Sequence, residues 1–360
     1  MHVCAIEPEE RMSIDEQMIP YKGKCPLRQL RQYLPKKPKK WGFKVFARSG
    51  VSGITYDFHF YDGKGPQVTN SCGFQPGDFV LKLCETLPDN ANFKVYFDNY
   101  FTFMELQLML KRRGIFSVGT IRSNRLRSCP LKAEKELKKQ GRGAFHSSVD
   151  ANSGLAVVCW FDSGDVQLTS THSATEPVAA VQRWDKKSRS YISVTCPAIV
   201  GEYNQFMGGV DLFDMLMSLY RIDHRSKKWY RRIFYWSIHL GIVNGWLIYR
   251  RHCDMKATPA KEQLSLIQFT AAVSESLISE KKVPPQLVQK RGRPSVQLTE
   301  LCLTTQPLKV VLTVSLSSRR REHVPSMIPL RSFSKTQQVI FQNTLNRIWS
   351  KSGQVRTENR

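Results

Sequence analysis

Four aspartates stand where carboxylate chemistry is feasible: Asp15, Asp98, Asp211 and Asp214. Asp211 and Asp214 follow the Gly208-Gly209 pair and lie three residues apart, which puts both on one face of a helix. Close carboxylates repel, so the pair calls for a metal ion, an arginine or a proton between them. Asp15 sits in the short apolar run RMSIDEQMI, which suits a buried strand, and Asp98 ends a second strand, FKVYF. The three positions are 83 and 113 residues apart, yet strand ends and helix starts along one sheet edge can converge on a point. Three carboxylates meeting there would bind one or two Mg²⁺ ions, which prefer hard oxygen ligands and keep open water positions. Two such ions stabilise the attacking and leaving oxygens of a phosphodiester. The plainer reading of each acid alone is a cap or turn residue.

The elements that must position these acids can be read from periodicity. Residues 11–19 and 41–48 read as strands. Residues 53–63 alternate cleanly, with Ile54, Tyr56, Phe58 and Phe60 on one face, and pair as a hairpin with the strand before them. Asp57 and His59 point the other way, toward solvent on this reading. Residues 77–86 predict a short amphipathic helix, 93–97 a strand, 103–113 a helix stopped by Gly114, and 115–121 a fifth strand. The order β-β-β-α-β-α-β is an α/β pattern with an antiparallel start and a parallel continuation. From 122 to 154 the chain turns polar and basic, with a charged helix near 132–139. Residues 155–170 resume as two strands around Ser163-Gly164, and 191–195 is another. Pro197 opens a helical region, and 264–277 is a further amphipathic helix. Lys290 to Pro294, KRGRP, contains the core of a minor-groove hook, although a solvated linker is the simpler reading.

Charge narrows the partner. Lys and Arg number 54 against 30 acids, a formal charge of +24, in a chain of 360 residues that is 41% hydrophobic. A cation this strong calls for a polyanion: nucleic acid first, an anionic membrane surface second. Residues 22–44 carry nine Lys or Arg and no acid, 111–142 carry eleven against two, and 221–256 carry nine against two. The phosphate-facing candidates are Lys36, Lys37, Lys39, Lys40, Arg122, Arg125, Arg225, Lys227, Lys228, Arg231 and Arg232. The nine scattered cysteines show no CxxC pair and read as reduced thiols, with no zinc site evident. The acidic, polar start is no signal peptide. Residues 233–249 are apolar enough to invite a membrane span, but Ser237, His239 and Asn244 interrupt them and arginine pairs flank both ends. A buried core helix, with no membrane, is the expectation.

The stretches MSIDEQMIPYKGK, VYFDNYFTFMELQLMLKRRGIFSVGTIRSNR and YNQFMGGVDLFDMLMSLYRIDHRSKKW resemble, in order, three successive motifs of piggyBac transposases and their vertebrate transposable-element-derived relatives. The resemblance runs from about Met12 to Leu277. It implies an RNase H-like catalytic domain with a mixed sheet, a mainly β insertion and a helical C-terminal part. The expected division is 1–121 and 197–280 for the core, 122–196 for the insertion and 281–360 for a basic, weakly ordered tail. It further implies a DDE/D transposase that uses Mg²⁺ or Mn²⁺ to nick transposon ends, form a hairpin and join TTAA target DNA in the nucleus, working as a homodimer. Asp15, Asp98 and Asp211 would then be the catalytic metal ligands, and Asp214 matches a fourth acid of the third motif. The family's N-terminal dimerisation and DNA-binding region and its C-terminal cysteine-rich zinc module are not found in the sequence. The alternative expectation is therefore a domesticated, catalytically inactive DNA-binding or chromatin-associated protein.

Overall fold

The computed structural model describes residues 6–279 apart from 26–27, 36–38, 127–128, 223 and 225. KRGRP and the basic tail lie outside the described residues. At the centre is β1 (Arg11–Pro20), whose Met12, Ser13 and Ile14 are wholly buried. It pairs antiparallel with β3 (Trp41–Gly50) over its length, and parallel with β5 (Lys94–Phe97), with Ile14 opposite Phe97. β4 (Thr55–Phe60) and the short β2 (Arg31–Tyr33) both pair with the far side of β3, and β6 (Phe116–Thr120) runs parallel to β5. The antiparallel start and parallel continuation are therefore as expected.

Beyond residue 121 the chain continues the same sheet. β9 (Asp165–Ser170) pairs with β6, then β8 (Ala156–Phe161) with β9 and β7 (Phe145–Val149) with β8, extending the mixed sheet to nine strands among the described residues. Only β10 (Ala179–Asp185) and β11 (Ser190–Cys196) make a separate two-stranded ribbon. The charged helix is present as α3 (Glu134–Gln140), under which Leu137 is buried.

Each sheet face is covered. One packs against α1 (Gln75–Cys84) and α2 (Met104–Arg112) through Met12, Ile14, Phe46, Val95 and Phe97. The other packs against α4 (Ala198–Phe206), α5 (Gly209–Leu219) and α6 (Trp229–Met255), with α7 (Leu266–Ser279) against α6. This corrects one expectation. Tyr56 and Phe58 do face the helices with Ile54 and Phe60, but Asp57 and His59 do not face solvent. His59 meets Phe79 of α1 edge-on, ring centroids 5.4 Å apart, and Asp57 lies beside the buried Arg48. A two-residue period shows that a strand has two faces; it does not show whether a later helix will cover the second.

The apolar run 233–249 lies inside α6 as a core helix. Its polar interruptions are its anchors: the Asn244 amide bonds Thr55 both ways, donating to the carbonyl at 2.7 Å and accepting from the N–H at 3.0 Å. His239 Nε2 lies 3.1 Å from the Met217 carbonyl. No described helix is long and apolar enough to cross a membrane. Cys25, Cys72, Cys84, Cys129, Cys159, Cys196 and Cys253 are free thiols.

Candidate active site

β1 and β5 bring two of the acids together. Parallel pairing keeps equivalent residues level and on the same face. Asp15 and Asp98 are each the next residue beyond the matched pair Ile14 and Phe97, so they stand side by side one strand spacing apart, about 5 Å. Both are half-buried. The Asp15 carboxylate accepts the Glu16 N–H at 2.7 Å. Asp98 accepts the Tyr100 N–H at 2.9 Å, while its backbone carbonyl takes the Thr102 hydroxyl at 2.8 Å, so the turn leaving β5 is closed on Asp98 itself.

The third acid arrives on α5. Ser13, two residues before Asp15 and on the same face, accepts the Val210 N–H at 3.0 Å and pins the first turn of α5 to β1. Gly209 makes this approach feasible: a Cβ there would lie 2.3 Å from the Gly50 carbonyl oxygen and 2.8 Å from Ser13 Oγ. Asp211 follows in that first turn, exposed. Asp214 lies one turn on, half-buried.

Burial pushes the Tyr203 hydroxyl of α4 far above the usual phenol range. Thr120 hydrogen-bonds to it and acts the other way, while repulsion from Asp98, Asp15 and Asp211 together raises it further. One hydroxyl is therefore within electrostatic reach of all three carboxylates. Asp98 itself is raised, first by burial and then by Glu16, against its bonds to Tyr100 and Phe101 and the pull of Lys44. Lys44 is buried, its ammonium 4.3 Å from the Tyr100 ring centre and 4.5 Å from that of Phe46.

α4 is held by a polar network that sequence reasoning missed. Glu202 Oε1 accepts the Tyr96 hydroxyl at 2.7 Å and lies 2.8 Å from His172 Nε2. Burial pushes Glu202 up, but the bonds from His172 and Tyr96 outweigh it and hold the carboxyl at about 2. Nothing in the spacing of residues 96, 172 and 202 signals this.

The expected basic residues divide into three sets. Lys39, Lys40, Lys227, Lys228 and Arg231 are exposed and Arg232 half-buried. The two lysine pairs gather at the end of β1: Tyr21 donates its hydroxyl to the Lys227 carbonyl at 2.8 Å and its N–H to the Trp41 carbonyl at 3.0 Å, and Phe43 meets Trp229. This rim lies about 20 Å along the strand from Asp15. Arg122 and Arg125 instead hold the turn after Asp98. Arg122 donates to the Asn99 side chain at 3.1 Å; Arg125 donates to the Asn99 and Thr102 carbonyls at 2.6 and 2.9 Å and stacks on Phe74 at 4.5 Å. Lys36, Lys37 and Arg225 lie outside the described residues.

By donor type, three carboxylates suit a hard divalent cation such as Mg²⁺ or Mn²⁺. By placement, Asp15 and Asp98 stand level, and Asp211 lies in the first turn of α5, which Ser13 pins to β1. The side chains are not drawn into a closed cage: among the described residues no group of three or more His, Cys, Asp or Glu is arranged to hold a metal ion. The residues fit the ion in donor chemistry, while their side chains as they stand do not form a ready site for it.

Residues 5–246 match the family model described as Transposase IS4. Human piggyBac transposable element-derived protein 3 is 29% identical over 291 residues, covering 79% of this chain and 46% of that protein. Human piggyBac transposable element-derived protein 2 is 30% identical over 253 residues, covering 68% and 41%. The chain thus spans less than half the length of these curated relatives. In fold it is similar to the piggyBac transposase in the cryo-EM structure of its synaptic complex with hairpin DNA, with a TM-score of 0.60 at 24% identity, over 76% of this chain and 53% of that one. From the matched residues, the mixed sheet and the helices laid across it, the chain belongs to the piggyBac-type transposase family.

Proposed function

We propose that the chain carries the catalytic core of a metal-dependent DNA strand-cleaving and strand-transferring protein, with Asp15, Asp98 and Asp211 as the cation ligands and Asp214 beside them. The observation that supports this reading is the level placement of Asp15 and Asp98 at the ends of two paired parallel strands, with Asp211 in the helix turn that Ser13 pins to β1. When bound, Mg²⁺ or Mn²⁺ would supply Lewis-acid stabilisation of charge on the attacking and leaving oxygens of a phosphodiester. The protein's own residues position the reaction. Arg122 and Arg125 fix the turn that bears Asp98, and Ser13 fixes the helix start that bears Asp211. Lys39, Lys40, Lys227, Lys228 and Arg231 offer cations to the DNA backbone at the end of β1, where neutralised phosphates release counterions.

On the same reading the DNA is a transposon end or a TTAA-containing target, as in the relatives' family, and the protein acts in the nucleus as a homodimer. The segment 122–196 then counts as an insertion between core halves 1–121 and 197–280. A second reading, DNA or chromatin binding without cleavage, is favoured by the open arrangement of the acids. A Mg²⁺-dependent nicking assay separates the two. Under the first reading the wild type nicks DNA and Asp98→Ala loses at least about 100-fold while still binding it, the scale on which one transition-state charge contact counts. Under the second, both variants bind and neither nicks.

A further inference from the structure

The ribbon β10–β11 has two unlike faces. On the inner face Val181, Ile192, Val194 and Cys196 pack on the core. On the outer face Ala180, Gln182, Trp184, Tyr191, Ser193 and Thr195 are all exposed. Trp184 and Tyr191 are directly cross-strand partners, their rings edge to face at 5.3 Å, and they remain 52% and 70% exposed. An aromatic pair left in water at a ribbon tip needs a reason, because large rings are ordinarily kept for the core or an interface.

The charge beside the pair says what covers it. The turn joining the strands carries Lys186, Lys187 and Arg189, all exposed, and among the described residues none of the three forms an ion pair. The one acid of the tip, Asp185, is engaged elsewhere: it accepts the Ser188 N–H at 2.9 Å and lies 3.6 Å from Arg142. Asp162, behind the ribbon, is held by Arg142 and, at 3.3 Å, by Arg183. Three unneutralised cations around two exposed aromatic rings, on a chain of charge +24, match a nucleic-acid strand. The cations suit phosphates. The ring faces suit bases that are not already stacked in a duplex.

We propose that the β10–β11 ribbon is a docking element for unpaired nucleotides of DNA, with Trp184 and Tyr191 as the base platform and Lys186, Lys187 and Arg189 as the phosphate grip. It rests on the reading above that DNA is the substrate, and adds a contact surface separate from the acids and from the basic rim at the end of β1.

The test is DNA binding by fluorescence anisotropy over a salt series, using one blunt duplex and the same duplex with a single-stranded overhang. The variants are Trp184→Ala/Tyr191→Ala and Lys186→Ala/Lys187→Ala/Arg189→Ala; both alter exposed side chains, and unchanged thermal unfolding verifies the fold. The expected result is that the aromatic variant loses about 10-fold or more on the overhang substrate and less than about 2-fold on the blunt one. The cationic variant should weaken overhang binding and lower its salt slope by about 2. Wild-type affinity in both variants, or an equal loss by the aromatic variant on both substrates, would overturn the ribbon proposal while leaving the DNA reading intact. Failure of the wild type to bind either DNA would overturn both.

Discussion

Replacing Glu202 by Gln removes a charge from the network that holds α4, while keeping its size and one acceptor oxygen. In the folded protein the carboxyl sits at about 2, against 4.5 for an ordinary glutamate. At about 1.4 kcal/mol per pKa unit the ionised form contributes about 3 kcal/mol. The side chain is only 19% exposed, so solvent screening takes little from this. A charge-assisted hydrogen bond is independently worth about 1.5–3 kcal/mol. Glu202→Gln should therefore lower stability by about 2–3 kcal/mol at pH 7. The folded value lies below the unfolded one, so the contribution is complete above about pH 4.5 and is lost as pH falls toward 2. The gap between wild type and variant should close over that window. Urea denaturation at a series of pH values measures it. Equal stability at pH 7, or a gap that stays constant down to pH 2.5, would refute the assignment of a charged, hydrogen-bonded Glu202.

Two further outcomes follow from packing. Gly209→Ala puts a Cβ against the Gly50 carbonyl and Ser13 Oγ, so α5 must lift from β1 and carry Asp211 with it; nicking should fall by at least about 10-fold, in line with the sensitivity of reacting geometry to ångström shifts, while DNA binding is kept. Asn244→Ala leaves the Thr55 N–H and carbonyl without their partners inside the core, and should cost about 2–3 kcal/mol in chemical denaturation.

The strands around the acids were legible from a short apolar run in RMSIDEQMI and from alternation in FKVYF and GITYDFHFYDG. Each gave a strand within a few residues of the observed one. β7 and β10 were not. FHSSV and AAVQRWD carry little apolar alternation: β7 is half-buried from Phe145 to Ser148 and exposed at Val149, and the inner face of β10 carries Arg183 and Asp185 beside Val181. Asp57 and His59 were misread because the helix that covers them begins some 15 residues later in the chain. Arg125 was nominated by composition, and its bonds to the carbonyls of the Asp98 turn, set by tertiary packing, were not legible. The three acids could be nominated from motif and position alone. The neighbours that define their surroundings, Tyr203, Glu202 and Lys44, depend on sheet register and helix docking.

Divalent-ion binding tests the central claim most directly. Mn²⁺ titrated into the protein and followed by electron paramagnetic resonance should show one or two bound ions for the wild type. Asp15→Asn and Asp98→Asn should each weaken binding at least about 10-fold with the fold preserved, since each removes a hard anionic ligand from a set of three. Mn²⁺ binding of the same stoichiometry and affinity in wild type and both variants would contradict the account.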